Sequence, residues 1–168
     1  MIHYALFLVA LAAVPQASLA HTSTEFHFTV DLPYREAAPL FGAWEEQKWA
    51  PGWKPEFLHP TPAADQEGSV FRVQKGAHSS LWMNTIFDLA SGHVQYVSVL
   101  ADLLVTRIDI HLKVNNRDKT DVSVTHERTA LTPSANDHVN ALAKEDAASG
   151  DEWRSLINAY GDTLKSAR

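Results

Sequence analysis

Cysteine is missing from all 168 residues. That absence excludes disulfides, thiolate nucleophiles and iron–sulfur ligation, and leaves stability to the apolar core. Long hydrophobic runs are missing too: the stretch Tyr4–Val14 falls well short of the roughly 20 apolar residues that a bilayer-spanning helix needs. Basic residues are scarce. Lys and Arg total 14 against 20 Asp and Glu, a formal net charge of −6. Lys48, Lys54, Arg72, Lys75, Arg107 and Lys113 stand singly among acids. A surface that neutralises phosphates needs clustered cations, so nucleic acid is not an expected partner, and attraction to an anionic membrane surface is disfavoured on the same ground. The sequence also has no phosphate loop, dinucleotide fingerprint or nucleophile elbow.

The Tyr4–Val14 run is followed by Pro15, Gln16 and Ser18-Leu19-Ala20, with small residues at both positions that direct cleavage. This is the layout of an export signal removed after Ala20, although only Met1-Ile2-His3 precedes the run. The expected organisation is a signal peptide over 1–20 and one domain over 21–168, secreted or periplasmic, with no stable membrane span after cleavage. The first twenty residues hold no Asp, Glu, Lys or Arg, so the mature chain keeps the full −6. An apolar content of 45% with 20% charged residues is that of an ordinary globular domain.

Phe26, Phe28, Val30 and Leu32 alternate with polar residues, the period of a strand with one buried face. Pro33 opens a short helix over Tyr34–Phe41, and a second runs from Trp44 to Trp49, closed by Pro51-Gly52. From Lys54 to Leu131 the chain reads as successive antiparallel strands, punctuated at Pro60 to Gly68, Lys75-Gly76, Ser91-Gly92 and Asn115 to Asp118. The clearest alternation sets Leu104, Thr106, Ile108, Ile110, Leu112 and Val114 on one face and Val105, Arg107, Asp109, His111 and Lys113 on the other, which should meet solvent. After Thr132-Pro133 the period becomes helical. Val139 and Leu142, then Trp153, Leu156, Ile157, Tyr160 and Leu164, recur at spacings of three and four, with Ser149-Gly150 as an expected break or kink.

The segment Trp49-Ala50-Pro51-Gly52-Trp53-Lys54-Pro55-Glu56-Phe57-Leu58-His59-Pro60, then Gly68-Ser69-Val70-Phe71, Trp82, Tyr96, Thr129-Ala130-Leu131 and Trp153, resembles a bacterial branch of the SRPBCC (START-like) superfamily over roughly Glu25 to Lys165. The resemblance implies an α+β helix-grip fold, a curved antiparallel sheet wrapped around the C-terminal helix with an apolar cavity between them. It also implies a spread of roles, from polyketide cyclases and dehydratases to lipid and sterol carriers and co-chaperone domains. That branch usually has an aromatic residue where this chain has His126, and a glycine near Ala135.

Trp49, Trp53, Phe57, Trp82, Asn84, Tyr96 and His126 are the expected ligand-binding residues. The tryptophans and Phe57 would supply apolar wall, Asn84 or Tyr96 would orient a ligand oxygen, and His126 is the one catalytic candidate. The competing reading of His126 is a buried imidazole satisfied by a backbone carbonyl. No metal or cofactor is expected, since no histidine pair has the i, i+4 spacing of a helical zinc motif. The least favoured idea is copper chelation by a mature N-terminal His21, against a frayed terminus. Glu45-Glu46 and Asp151-Glu152 read as solvated helix ends, and Arg107, Asp109 and His111 as cross-strand charge pairing on the solvent face. The expected function is an exported binding or carrier protein for a hydrophobic small molecule. A cyclase or dehydratase is the alternative, and a co-chaperone-like interaction module the third reading.

Overall fold

The computed structural model describes residues 18–166. The Tyr4–Val14 run lies outside them, as does most of the expected signal peptide. The chain forms β1 (His21–Val30), α1 (Tyr34–Ala37) continued by a 3₁₀ turn over Ala38–Phe41, and α2 (Ala43–Glu46). Then come β2 (Pro55–His59), β3 (Val70–Lys75), β4 (His78–Asp88), β5 (His93–Leu100), β6 (Leu104–Asn116) and β7 (Lys119–Ala130), and last α3 (Asn136–Ser166). One antiparallel sheet of seven strands runs in the order β1-β7-β6-β5-β4-β3-β2, so the first strand closes onto the last and the hairpins follow in sequence. Helix α3 packs on its inner face, most heavily across β1. This is the helix-grip arrangement, and no described helix is long and apolar enough to cross a membrane.

Alternation decides which side chains enter the core. On β1, β6 and β7 the even-numbered residues point inward: Phe26, Phe28 and Val30, then Ile110 and Leu112, then Val122 and Val124 are all buried. Each such side chain contributes about 1.5–3 kcal/mol of burial. Arg107 and His111 lie exposed on the opposite face, and Arg107 pairs with Glu127 at 2.6 Å.

Four expectations change. Val114, expected on the inner face of β6, is 65% exposed, because it stands two residues from the end of that strand, where the chain turns back into β7. Helix α3 runs unbroken through Ser149-Gly150. A Cβ at residue 150 would sit 3.4 Å from Phe26 Cδ2 and 3.5 Å from the His27 carbonyl, so the glycine serves close approach of helix to strand rather than a break. His21 is no frayed terminus: it opens β1 opposite Thr129 and bonds that hydroxyl through Nδ1 at 2.9 Å. Asn84 is not presented to a ligand. It sits at the β4 bulge, where the register against β5 shifts between Asn84 and Ile86, and its amide nitrogen donates to the carbonyls of Ile86 (2.6 Å) and Gln95 (2.9 Å).

Asn84→Ala removes the donor from the Ile86 carbonyl, whereas the Gln95 carbonyl still accepts from Thr85 Oγ1 at 3.3 Å. Urea denaturation should show a loss of about 1–3 kcal/mol, with any ligand affinity measured on the folded fraction unchanged. A variant as stable as the parent would mean that the bulge is held by something else.

Candidate functional site: a cavity between sheet and helix

Three tryptophans build the wall by turning their only polar atom away from it. Trp49 Nε1 donates to the Leu40 carbonyl at 2.7 Å, Trp53 Nε1 to the Ala43 carbonyl at 2.9 Å, and Trp82 Nε1 to Ser80 Oγ at 2.7 Å. With these donors satisfied, the rings offer hydrocarbon surface. Trp53 stands edge-on to Trp82, centroids 5.3 Å apart, and Trp49 edge-on to Trp153 of α3 at 5.6 Å. Between them lies a cavity of about 330 Å³, completed by Phe41, Tyr96, Ile108 and Ile110. A second compartment of about 660 Å³, toward Ser98, Leu100, Leu104 and Leu142, shares Lys75, Trp82, Ile108 and Arg128 with the first. Both volumes fall within the range of small-molecule pockets.

Of the residues expected at this site, Trp49, Trp53, Trp82, Tyr96 and His126 line the first compartment and Phe57 and Asn84 do not. Phe57 stacks on Phe71, centroids 5.4 Å apart, and meets Trp44 edge-on. Phe71 in turn covers Trp82, so Phe57 stands one layer behind the wall. Tyr96 is at the wall with its hydroxyl already donated to the Phe41 carbonyl at 2.7 Å.

The polar end of the cavity is built across β7 and α3. His126 Nδ1 lies 2.7 Å from Asp146 Oδ1, and Arg128 grips the same carboxylate through Nε to Oδ2 and Nη2 to Oδ1, both at 2.7 Å. Arg128 Nη1 also donates to Thr106 Oγ1 at 2.9 Å. All three ionisable side chains are shielded, with side-chain exposures of 6%, 8% and 14% for His126, Asp146 and Arg128. Burial opposes ionisation of Asp146, but the Arg128 and His126 hydrogen bonds outweigh it and hold the carboxyl down at about 2. The tautomer with its proton on Nδ1 donates to Asp146 and leaves Nε2 as an acceptor. That Nε2 is buried and has no hydrogen-bond partner among the described residues. The carbonyl-satisfied histidine of the bland reading is therefore replaced by a carboxylate-oriented one with its second nitrogen unspent.

Two members escaped the sequence reading. Asp146 looked like an ordinary helical acid, yet it stands four residues after Leu142 and seven before Trp153, on the apolar stripe of α3 where a hydrophobic residue belongs. Glu46 was assigned to a solvated helix end. Neither is fully solvated: both are half-buried, and Glu45 pairs with Lys48. The Asp65 carboxylate caps α2 by accepting from the Trp44 and Glu45 backbone N–H groups at 2.8 and 3.2 Å. The adjacent Glu46 lines the cavity. Burial, with the negative charge of Asp65 behind it, pushes the Glu46 carboxyl up to about 8, so it keeps its proton at neutral pH and can donate a hydrogen bond. The site thus pairs an acceptor nitrogen with a donor carboxylic acid inside an aromatic chamber.

Fold and site define a helix-grip protein with an internal, mainly apolar cavity. No family model and no curated protein matches the chain, but solved structures do. Norcoclaurine synthase from Thalictrum flavum, in complex with dopamine and hydroxybenzaldehyde, superposes with a TM-score of 0.62 at 14% identity over 97% of this chain and 98% of that one. The Zhui aromatase/cyclase from Streptomyces sp. R1128 gives 0.53 at 16% identity over 89% and 97%, and Ara h 8.0201 gives 0.56 at 17% over 87% and 99%. At such identities the likeness establishes the shared fold.

The two carboxyls make opposite demands on pH. Asp146 is depressed on folding, so its contribution of about 2 kcal/mol is present at neutral pH and is lost as pH falls from about 4 toward 2. Glu46 is raised, so the stability tied to its proton is present below the ordinary carboxylate range and is lost as pH rises toward about 8. Urea titrations at pH 5 and pH 8 should show the parent weakening at the higher pH and Glu46→Gln not doing so. Parallel losses in both proteins would show that Glu46 ionises freely. Asp146→Asn leaves Arg128 buried and unpaired and should cost about 3–5 kcal/mol at pH 7.

Proposed function

We propose that this is an exported binding or carrier protein for a hydrophobic small molecule that carries at least one oxygen function. The observation that supports this best is the Nε2 of His126, unpartnered among the described residues, in a chamber walled mainly by aromatic and aliphatic side chains with Glu46, Lys75 and Arg128 as its other polar members. A buried acceptor without a partner costs about 1–3 kcal/mol, and a ligand hydroxyl would remove that cost. Glu46 offers the complementary proton to a ligand carbonyl. Apolar burial at about 25 cal/mol per Å² supplies the affinity, and the two polar groups supply orientation.

The same pair supports the second reading, a cyclase- or dehydratase-like activity. For a bound β-hydroxy carbonyl compound, His126 Nε2 would take the proton on the carbon between the two functions, the C–O bond would break as the C=C forms, and Glu46 would protonate the departing hydroxyl to give water. Return of the proton from the imidazolium to Glu46 restores the site. Asp146 would hold the ring and stabilise its charged form. The interaction-module reading expects an occluded cavity, and the two open compartments weigh against it.

Ile108→Trp, at the junction of the compartments, should abolish saturable binding of an apolar fluorescent probe while circular dichroism stays native. Retained binding would place the probe elsewhere. His126→Phe separates the two readings. A carrier should shift in affinity by no more than about 1–3 kcal/mol, whereas an enzyme should lose about 10²- to 10⁴-fold in turnover with binding retained. Export is checked by intact mass: the protein recovered outside the cytoplasm should begin at His21, and a mass that includes Met1–Ala20 would overturn that part of the reading.

A further inference from the structure

We propose that the outer face of the sheet carries a binding site for a divalent transition-metal cation, held by His93, Asp109 and His111. The site is independent of the cavity and uses side chains that the proposed function leaves idle. His93 and His111 are directly opposed on β5 and β6, where facing side chains stand about 5 Å apart. Their rings stack at 4.3 Å between centroids with 19° between planes, so the two imidazoles lie face to face. Asp109, two residues from His111 on the same face of β6, lies beside them. His93 Nε2 is 2.6 Å and His111 Nε2 3.8 Å from its Oδ1, and the three donor atoms all fall within 4.8 Å of one another.

Two Nε2 atoms converging on one carboxylate oxygen differ from ordinary surface charge pairing, which needs only one partner for each acid. Zinc takes nitrogen and carboxylate oxygen at about 2.0–2.2 Å, which sets tetrahedral ligands roughly 3.3 Å apart. The His93 contact must open by about 0.7 Å and the His111 contact close by about 0.5 Å to meet that spacing, shifts within reach of half-exposed side chains. Two imidazoles and a carboxylate are a donor set for zinc, copper or nickel rather than calcium or magnesium, and leave a fourth position open.

The backbone fixes the arrangement. Gly92 has φ +77°, and a Cβ there would lie 2.3 Å from the Leu112 carbonyl; the Gly92 carbonyl accepts from Leu112 N–H at 2.8 Å. Only glycine allows this contact, and it sets His93 in register with His111. The surrounding charge also favours a cation. Asp88 is opposed to His93 on β4, and the two nearby cations face acids of their own: Arg107 pairs with Glu127, and Lys113 stands opposite Asp121.

Titration of the full chain with zinc chloride, followed by calorimetry, tests the site. The expected result is one tight equivalent per chain, weakened about tenfold or more in each of His93→Gln, Asp109→Asn and His111→Gln. His27→Gln and His21→Gln, on the same face two or more strands away, should bind like the parent. Thermal melts with and without zinc give a second readout: the metal should raise Tm in the parent and not in the His93→Gln/His111→Gln double variant. Absence of saturable binding, equal affinity in the three site variants, or loss of binding in His21→Gln or His27→Gln would each overturn the assignment.

Discussion

The ion pair between Arg128 on β7 and Asp146 on α3 is the constraint on which the rest of the inner face depends. A guanidinium and a carboxylate taken out of water cost several kcal/mol each unless their geometry is close to ideal, and here both oxygens of Asp146 are matched by both arms of the fork at 2.7 Å. That requirement fixes the azimuth and height of the helix over the sheet. Aromatic packing of Trp153 against Phe26 and Phe28 supplies attraction without direction. The ion pair supplies the direction, and the cavity is the space left over once α3 is held there.

His126 takes its character from the same carboxylate. Asp146 accepts from two residues of β7 at once, so the imidazole is oriented by a group whose negative charge is already secured by Arg128. A free carboxylate next to a histidine in an apolar chamber would be drawn to share its proton. One held down at about 2 remains a fixed acceptor over the whole physiological range. Glu46, on the wall of the same chamber, has no guanidinium bonded to it among the described residues, and burial with the charge of Asp65 behind it keeps it protonated. An acid behind the cavity wall and an acid on it thus settle into opposite states because only one of them is held by a guanidinium, the pattern by which environments drive acid and base roles apart.

Periodicity made the sheet legible, because burial on one face writes itself into every second residue: the β6 pattern assigned both faces from Leu104 to Lys113 and failed at the exposed Val114, while the shared parity of Val122, Val124 and His126 on β7 turned the imidazole inward. The tryptophans of the wall were legible from their apolar bulk and from the resemblance carried by the segment from Trp49 to Pro60. What escaped depends on contacts between residues distant in sequence. Asp146 meets Arg128 only after α3 folds back on β7, and the pairing of His93 with Asp109 and His111 exists only once β5 and β6 are in register. Asn84 was misread because a buried amide in a strand looks alike whether it serves a ligand or a bulge; the bulge shows only in the register of β4 against β5. Glu46 was misread because helix-end acids are usually solvated, and its burial follows from the Asp65 cap reaching in from a loop about twenty residues away.

The two faces of the sheet are mechanically joined at β5 and β6. Tyr96, Ile108 and Ile110 line the cavity from the inside, while His93, Asp109 and His111 alternate with them on the outside. A slip of one residue would exchange every one of these positions, so whatever fixes the register of this strand pair fixes both sites together. The inner face contributes through burial, which is strong but tolerant of small displacement. The outer contacts are directional. The short His93 to Asp109 bond is a diagonal contact that only one register permits, and the close approach at Gly92 anchors the start of β5 against Leu112. A cavity wall made of interchangeable hydrocarbon therefore owes part of its definition to polar side chains on the face it does not use.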